Sequence, residues 1–124
     1  MEFNIPLQPF KMSQLAALSS DKFPFHIGKK GEWEGLLNGF IDLFFEHEGV
    51  YYILDWKSNH LGSHIDAYTP DHIHQAMSES NYHLQYHLYT VALVKYLTDR
   101  LPSFNYDQQF GGAFYVFVRG VRKE

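Results

Sequence analysis

The sequence predicts a small α/β domain, a mixed β-sheet with helices packed on it, and three observations lead there. Residues 39–59 read as a β-hairpin, two apolar, aromatic and β-branched runs around a polar break at Glu46-His47-Glu48-Gly49. A long helical stretch opens near Asn81 and stops before Pro102, and a last apolar run at 113–118 follows Gly111-Gly112. Strands, then helix, then strand is the order of such a fold, with the hairpin at the sheet centre. At 124 residues, 45% hydrophobic and without a long linker, residues 1–124 are expected to form one domain.

Each element follows from local chemistry. Residues 2–8 alternate Phe3, Ile5 and Leu7 with polar neighbours, giving a strand closed by Pro9. Residues 12–18 suggest a brief helical turn and 19–31 a surface loop. Residues 33–45 read as one long strand in which Gly39 permits a bulge or a close backbone approach, and 50–57 as its partner. The irregular stretch 58–71 ends in Thr69-Pro70, an N-cap followed by proline at the first helical position, so a short helix runs through Met77. The main helix, from Asn81 to Tyr96 or Asp99, places Leu84, Leu88, Val91 and Leu97 near one face. The strand at 113–118 is apolar almost throughout and is expected at the centre of the sheet, and residues 119–124 form a charged, frayed end.

Inside the hairpin lie Asp42, Asp55 and Lys57, and charges in apolar runs need a partner or a task. If Glu48-Gly49 is a two-residue turn, opposed residues sum to 97 and Asp42 faces Asp55. Directly opposed Cβ atoms lie roughly 4.5–5.5 Å apart. Two carboxylates at that spacing can share one divalent cation. A three-residue loop would instead put the aspartates on opposite faces. A metal between carboxylates, with an ammonium two residues along, suits phosphodiester hydrolysis: the cation polarises a phosphoryl oxygen and acidifies a bound water, and Lys57 offsets developing charge. The alternative is a structural ion pair at a strand edge.

Composition bounds the setting. Cysteine is absent, which excludes disulfides and thiolate metal sites. No transmembrane run or signal peptide is read from the sequence. A net charge of −4 argues against an independent nucleic-acid binder, so a DNA substrate would be delivered by something else. Aromatics, at 18%, are assigned mainly to the core.

The hairpin, the Ser58-Asn59 after Lys57 and the helix stretch Gln85-Tyr86-His87-Leu88-Tyr89 carry a resemblance. Together with Gly39-Phe40-Ile41-Asp42-Leu43 and Phe110-Gly111-Gly112, and running along the chain in the family's order, they are similar to the RecB C-terminal nuclease domain of the PD-(D/E)xK superfamily. The resemblance implies a restriction-endonuclease-like fold with a central hairpin and flanking helices. It further implies magnesium-dependent DNA hydrolysis, with calcium able to replace magnesium without supporting catalysis, as part of a RecBCD-type exonuclease in bacterial cytoplasm. Asp42 and Asp55 match its metal-binding aspartates, the Trp56 carbonyl a backbone ligand and Lys57 the catalytic lysine. Gln85 and Tyr89 match its Gln-x-x-x-Tyr motif, one helical turn apart on a single face. Implied partners are DNA, RecC- and RecD-type subunits and a RecA-type recombinase, with no membrane. Relative to that family the chain reads as a fragment of a larger helicase-nuclease that lacks a leading helix bearing a histidine ligand, so its metal site is expected to be one ligand short. A histidine stands at position 83 where close relatives are expected to carry aspartate.

Eight histidines invite a rival metal reading, since His83/His87 and His60/His64 have i, i+4 spacing, with His72 and His74 nearby. His83 and His87 lie about 200° around the helix from Gln85, and are expected to face solvent. Glu46 and Glu48 are read as the hydrated hairpin tip, and Arg100, Arg119, Arg122 and Lys123 as solvated charge. A second function class, an interaction surface for partner subunits or a recombinase, rests on the acidic charge and the aromatic excess.

Overall fold

The structure is a computed structural model that describes residues 1–11 and 32–123, with side chains described for 1–5 and 38–123. The helical turn expected at 12–18 and the loop at 19–31 lie outside the described residues. β1 (Glu2–Lys11) and β2 (Glu32–Phe40) form an antiparallel pair, with Glu2 opposite Phe40 and a register shift between Leu7 and Phe10. β3 (Leu43–His47), β4 (Val50–Lys57) and β5 (Phe110–Phe117) form a three-stranded sheet in that order, β3–β4 antiparallel and β4–β5 parallel. The mixed sheet with helices bears out the α/β, restriction-endonuclease-like class.

The hairpin turn is the two-residue kind. Glu48 (φ 50°) and Gly49 (φ 79°) both take positive φ, as a type I′ turn requires, and the Gly49 N–H donates to Glu46 Oε1 at 2.6 Å. His47 pairs with Val50 and Leu43 with Leu54, the register in which opposed residues sum to 97. Asp42 and Asp55 therefore share a face.

The single strand expected over 33–45 is two strands, broken at Ile41-Asp42. Ile41 is fully buried, and both its backbone groups are spent on the chain start: its N–H donates to the Met1 carbonyl at 2.8 Å and its carbonyl accepts from the Met1 ammonium at 2.6 Å. The next residue turns its carboxylate to β4. A chain whose successive bonding groups serve two different neighbours leaves one ladder for the other, so it bends there. Gly39 makes the close approach foreseen for it: a Cβ at that position would lie 2.6 Å from Cζ of Phe3, a core ring.

α1 (Pro70–Glu79) begins as predicted, with Thr69 Oγ1 accepting from the His72 N–H at 3.3 Å, and runs two residues beyond Met77. α2 (Tyr82–Arg100) follows after Asn81 in the left-handed region at φ 56°, which makes the connection between the helices tight. Its buried residues are His83, Thr90, Ala92, Leu93 and Leu97. Val91, expected on the inner face, is exposed, because the stripe that meets the sheet centres on Leu93 and Leu97 rather than on Leu84 and Leu88. Phe3, Ile41, Ile53, Ala92, Leu93 and Leu97 make the core between α2 and the strands. A short α3 (Tyr106–Gln109), capped by Asn105 accepting from the Gln108 N–H, leads directly into β5.

β5, expected at the sheet centre, is an edge of the described three-stranded sheet. Its run is apolar because both its faces are used, Phe117 inward and Phe114 outward in an aromatic cluster with Phe45 and Tyr52, not because strands flank it on both sides. β4 is central instead. Among the described residues no helix is long and apolar enough to cross a membrane.

Candidate active site

Alternation along β4 sends Ile53, Asp55 and Lys57 to the face that α2 covers, and all three are buried. Asp55 keeps 4% of its surface and Lys57 6%, so the two charges are held in the interior and need each other. Lys57 Nζ lies 2.5 Å from Asp55 Oδ2. The same ammonium donates to Gln85 Oε1 at 2.6 Å, and Gln85 Nε2 donates to the Tyr89 hydroxyl at 3.0 Å. Gln85 and Tyr89 sit four residues apart on α2, so one helix turn presents both. Asp42, exposed at the bend before β3, accepts the Trp56 N–H on its Oδ2 at 3.0 Å.

The structure thus brings Asp42, Asp55, Lys57, Gln85 and Tyr89 together with the Trp56 backbone, while the Trp56 side chain, 53% exposed, lies on the opposite face. Burial is the main force raising the Asp55 carboxyl above the usual carboxylate range. Lys57 opposes it, and the neighbouring Asp42 carboxylate adds to the rise. Burial likewise raises the Tyr89 phenol, with Asp55 and Asp42 contributing.

Two tyrosines outside the sequence motifs complete the surroundings. Tyr115 pairs with Asp55 across the parallel ladder, and its buried hydroxyl has no hydrogen-bond partner among the described residues. Burial foremost, then Asp55, pushes this phenol far up. The Tyr82 ring lies under the Lys57 ammonium, 3.8 Å from Nζ to its centroid. Its position one turn before Gln85, hence on the same helix face, was the available signal. For Tyr115 the signal was a single phenol in an otherwise apolar strand.

The histidines go elsewhere. His83 does not face solvent but is 5% exposed, because the side of α2 turned from the sheet packs on α1, where its ring meets His74 at 5.3 Å. Burial, then His74 and His87, lowers its pKa. Among the described residues no cluster of three or more histidine, aspartate or glutamate side chains could hold a metal.

The donor set at the hairpin suits a hard cation in kind. Two facing carboxylates supply oxygen, and the Trp56 carbonyl leaves β4 on the same side as the N–H that Asp42 accepts. Oxygen ligands select magnesium or calcium over the softer metals. Asp55, raised partly by Asp42, is a carboxyl whose ionisation a cation would favour.

No protein-family model matches the chain. Curated relatives do match it. Over 129 aligned residues it is 46% identical to the RecBCD enzyme subunit RecB of Escherichia coli (strain K12), spanning 100% of the chain and 11% of that relative. It is 47% identical over 88 residues to the same subunit from Buchnera aphidicola subsp. Acyrthosiphon pisum, covering 71% of the chain and 8% of the relative. The Mycobacterium tuberculosis (strain CDC 1551 / Oshkosh) subunit is 38% identical over 88 residues, 70% of the chain and 8% of the relative. The chain spans about a tenth of the length of the curated relatives it matches.

Proposed function

The chain is homologous along its whole length to one stretch of RecB, and on that premise we propose that it carries a magnesium-dependent site for DNA phosphodiester hydrolysis. Its parent is then a RecBCD-type exonuclease acting in double-strand break repair and recombination. The supporting observation is the convergence of Asp42, Asp55 and Lys57 at one end of the hairpin, with Gln85 and Tyr89 behind them. Asp42, Asp55 and the Trp56 carbonyl would hold the cation. When bound it supplies polarisation of a phosphoryl oxygen and an acidified water.

The chain's own groups do the rest. Lys57 places a positive charge beside the carboxylates, where negative charge grows on a phosphate under attack. Gln85 sets the direction of that ammonium, and Tyr89 holds the Gln85 amide in the orientation that leaves its carbonyl facing Lys57. Linear DNA treated with the full-length parent should be cut with magnesium, and left intact when EDTA removes the metal or calcium replaces it. Cleavage that persists in EDTA would overturn the reading.

One observation favours a second role. Leu43, Trp56 and Phe114 lie exposed on the sheet face opposite Asp55 and Lys57, and a contiguous apolar surface of this kind marks contact with another protein. RecC- or RecD-type subunits, or a RecA-type recombinase, are the proposed occupants. Changing Trp56 and Phe114 together to Ser should weaken co-purification of such partners with the full-length parent. Undiminished recovery would exclude this face.

A further inference from the structure

Lys57 has a contact that neither its ion pair nor its amide partner explains. Its Nζ stands 3.8 Å from the centroid of the Tyr82 ring and 5.2 Å from that of Tyr115. The two rings are nearly parallel, 13° apart with centroids at 6.4 Å. Tyr82 is tethered: its hydroxyl donates to Asn59 Oδ1 at 3.0 Å, and the left-handed Asn81 immediately before it starts the helix. Both ends of the contact are therefore fixed, one by the exit of β4 and the other by the start of α2.

We propose that Tyr82 is a positioning residue for the nuclease reaction, its ring face holding the Lys57 ammonium in place beside Asp55, with the Tyr115 ring flanking the same ammonium. This rests on the nuclease reading above. An aromatic face attracts a cation through its quadrupole, most strongly where water is excluded, and Lys57 is buried. The contact differs in kind from the other two. Asp55 has oxygens that a bound cation would also claim, whereas a hard cation ligates oxygen and leaves a ring alone. Lysine carries three N–H donors, of which Asp55 and Gln85 engage two. A ring holds the charge without requiring a hydrogen bond in one direction, so the third donor remains usable.

The test uses the full-length RecB-type parent in its complex, with Tyr82→Phe, Tyr82→Leu and a series of phenylalanines of increasing ring fluorination at position 82. Fluorine drains the negative ring face while keeping the shape. Tyr82→Phe should cleave DNA within about threefold of wild type, and Tyr82→Leu should lose about tenfold in kcat with KM for DNA unchanged. Along the fluorinated series kcat should fall steadily while the unfolding temperature stays constant. A second readout needs no metal: acylation of Lys57, mapped by mass spectrometry in EDTA, should rise in Tyr82→Leu and in the most fluorinated ring relative to Phe. A flat fluorine series, with Asp55→Ala inactive in the same assay, would overturn the clamp and leave the nuclease reading standing. Full activity of Asp55→Ala would overturn both.

Discussion

Replacing Asp55 with alanine is expected to lower magnesium-dependent DNA cleavage by the full-length parent at least ~1000-fold, the loss of a cation's hold on the reacting phosphate. Calorimetric titration of the chain with magnesium or calcium should go flat in the same variant. Stability should suffer too. Asp55 and Lys57 are both buried and only 2.5 Å apart, so deleting one partner strands the other. Such deletions cost about 3–5 kcal/mol, and the lower end applies because Lys57 keeps Gln85 Oε1 and the Tyr82 ring. Asp55→Asn separates the two effects. Its amide oxygen still accepts from Lys57, so it should unfold closer to wild type while cleaving as poorly as alanine. Wild-type cleavage by either variant would remove Asp55 from the chemistry.

The parts of the site that could be read from the sequence are those set by short-range periodicity. Period two along 50–57 put Asp55 and Lys57 on one face, and i, i+4 on the helix put Gln85 and Tyr89 on another. The choice of register needed one more fact, the positive φ at both Glu48 and Gly49, and an Asp-Gly or Asn-Gly pair would have announced it more plainly than Glu-Gly does. Long-range facts were not legible. Nothing within 33–45 marks the break at Ile41-Asp42, because it is imposed by Met1, forty residues away, taking both backbone groups of Ile41. An apolar strand can be central, or an edge with two apolar faces, and β5 is the second. Periodicity placed His83 away from Gln85 but could not say whether solvent or α1 lay there. Tyr82 was within reach, one turn before Gln85, yet only the packing of α2 on β4 shows its ring under an ammonium.

Lys57→Met should produce the opposite pattern from Asp55→Ala, keeping metal binding while losing ~100- to 1000-fold in cleavage, the scale of removing one preorganised charge from the reacting centre. Its stability should depend on pH in a direction the site dictates. Burial already raises the Asp55 carboxyl above its unfolded value, and Lys57 is the group that pulls it back, so without Lys57 it rises further. A carboxyl raised in the folded state binds its proton more tightly there than in the unfolded chain. Its contribution is therefore fully present below the unfolded value and is lost as pH rises through the folded one. At about pH 3, below the unfolded value and with Asp55 protonated, methionine packs its thioether against the Tyr82 ring, and the variant should unfold at nearly the urea concentration of wild type. At about pH 8 an unpaired buried carboxylate should leave it ~3 kcal/mol less stable. Urea unfolding of both chains in EDTA across that range measures the difference directly. A deficit that stays constant with pH, or shrinks as pH rises, would mean that Lys57 does not compensate Asp55, and that some other group offsets the buried carboxylate.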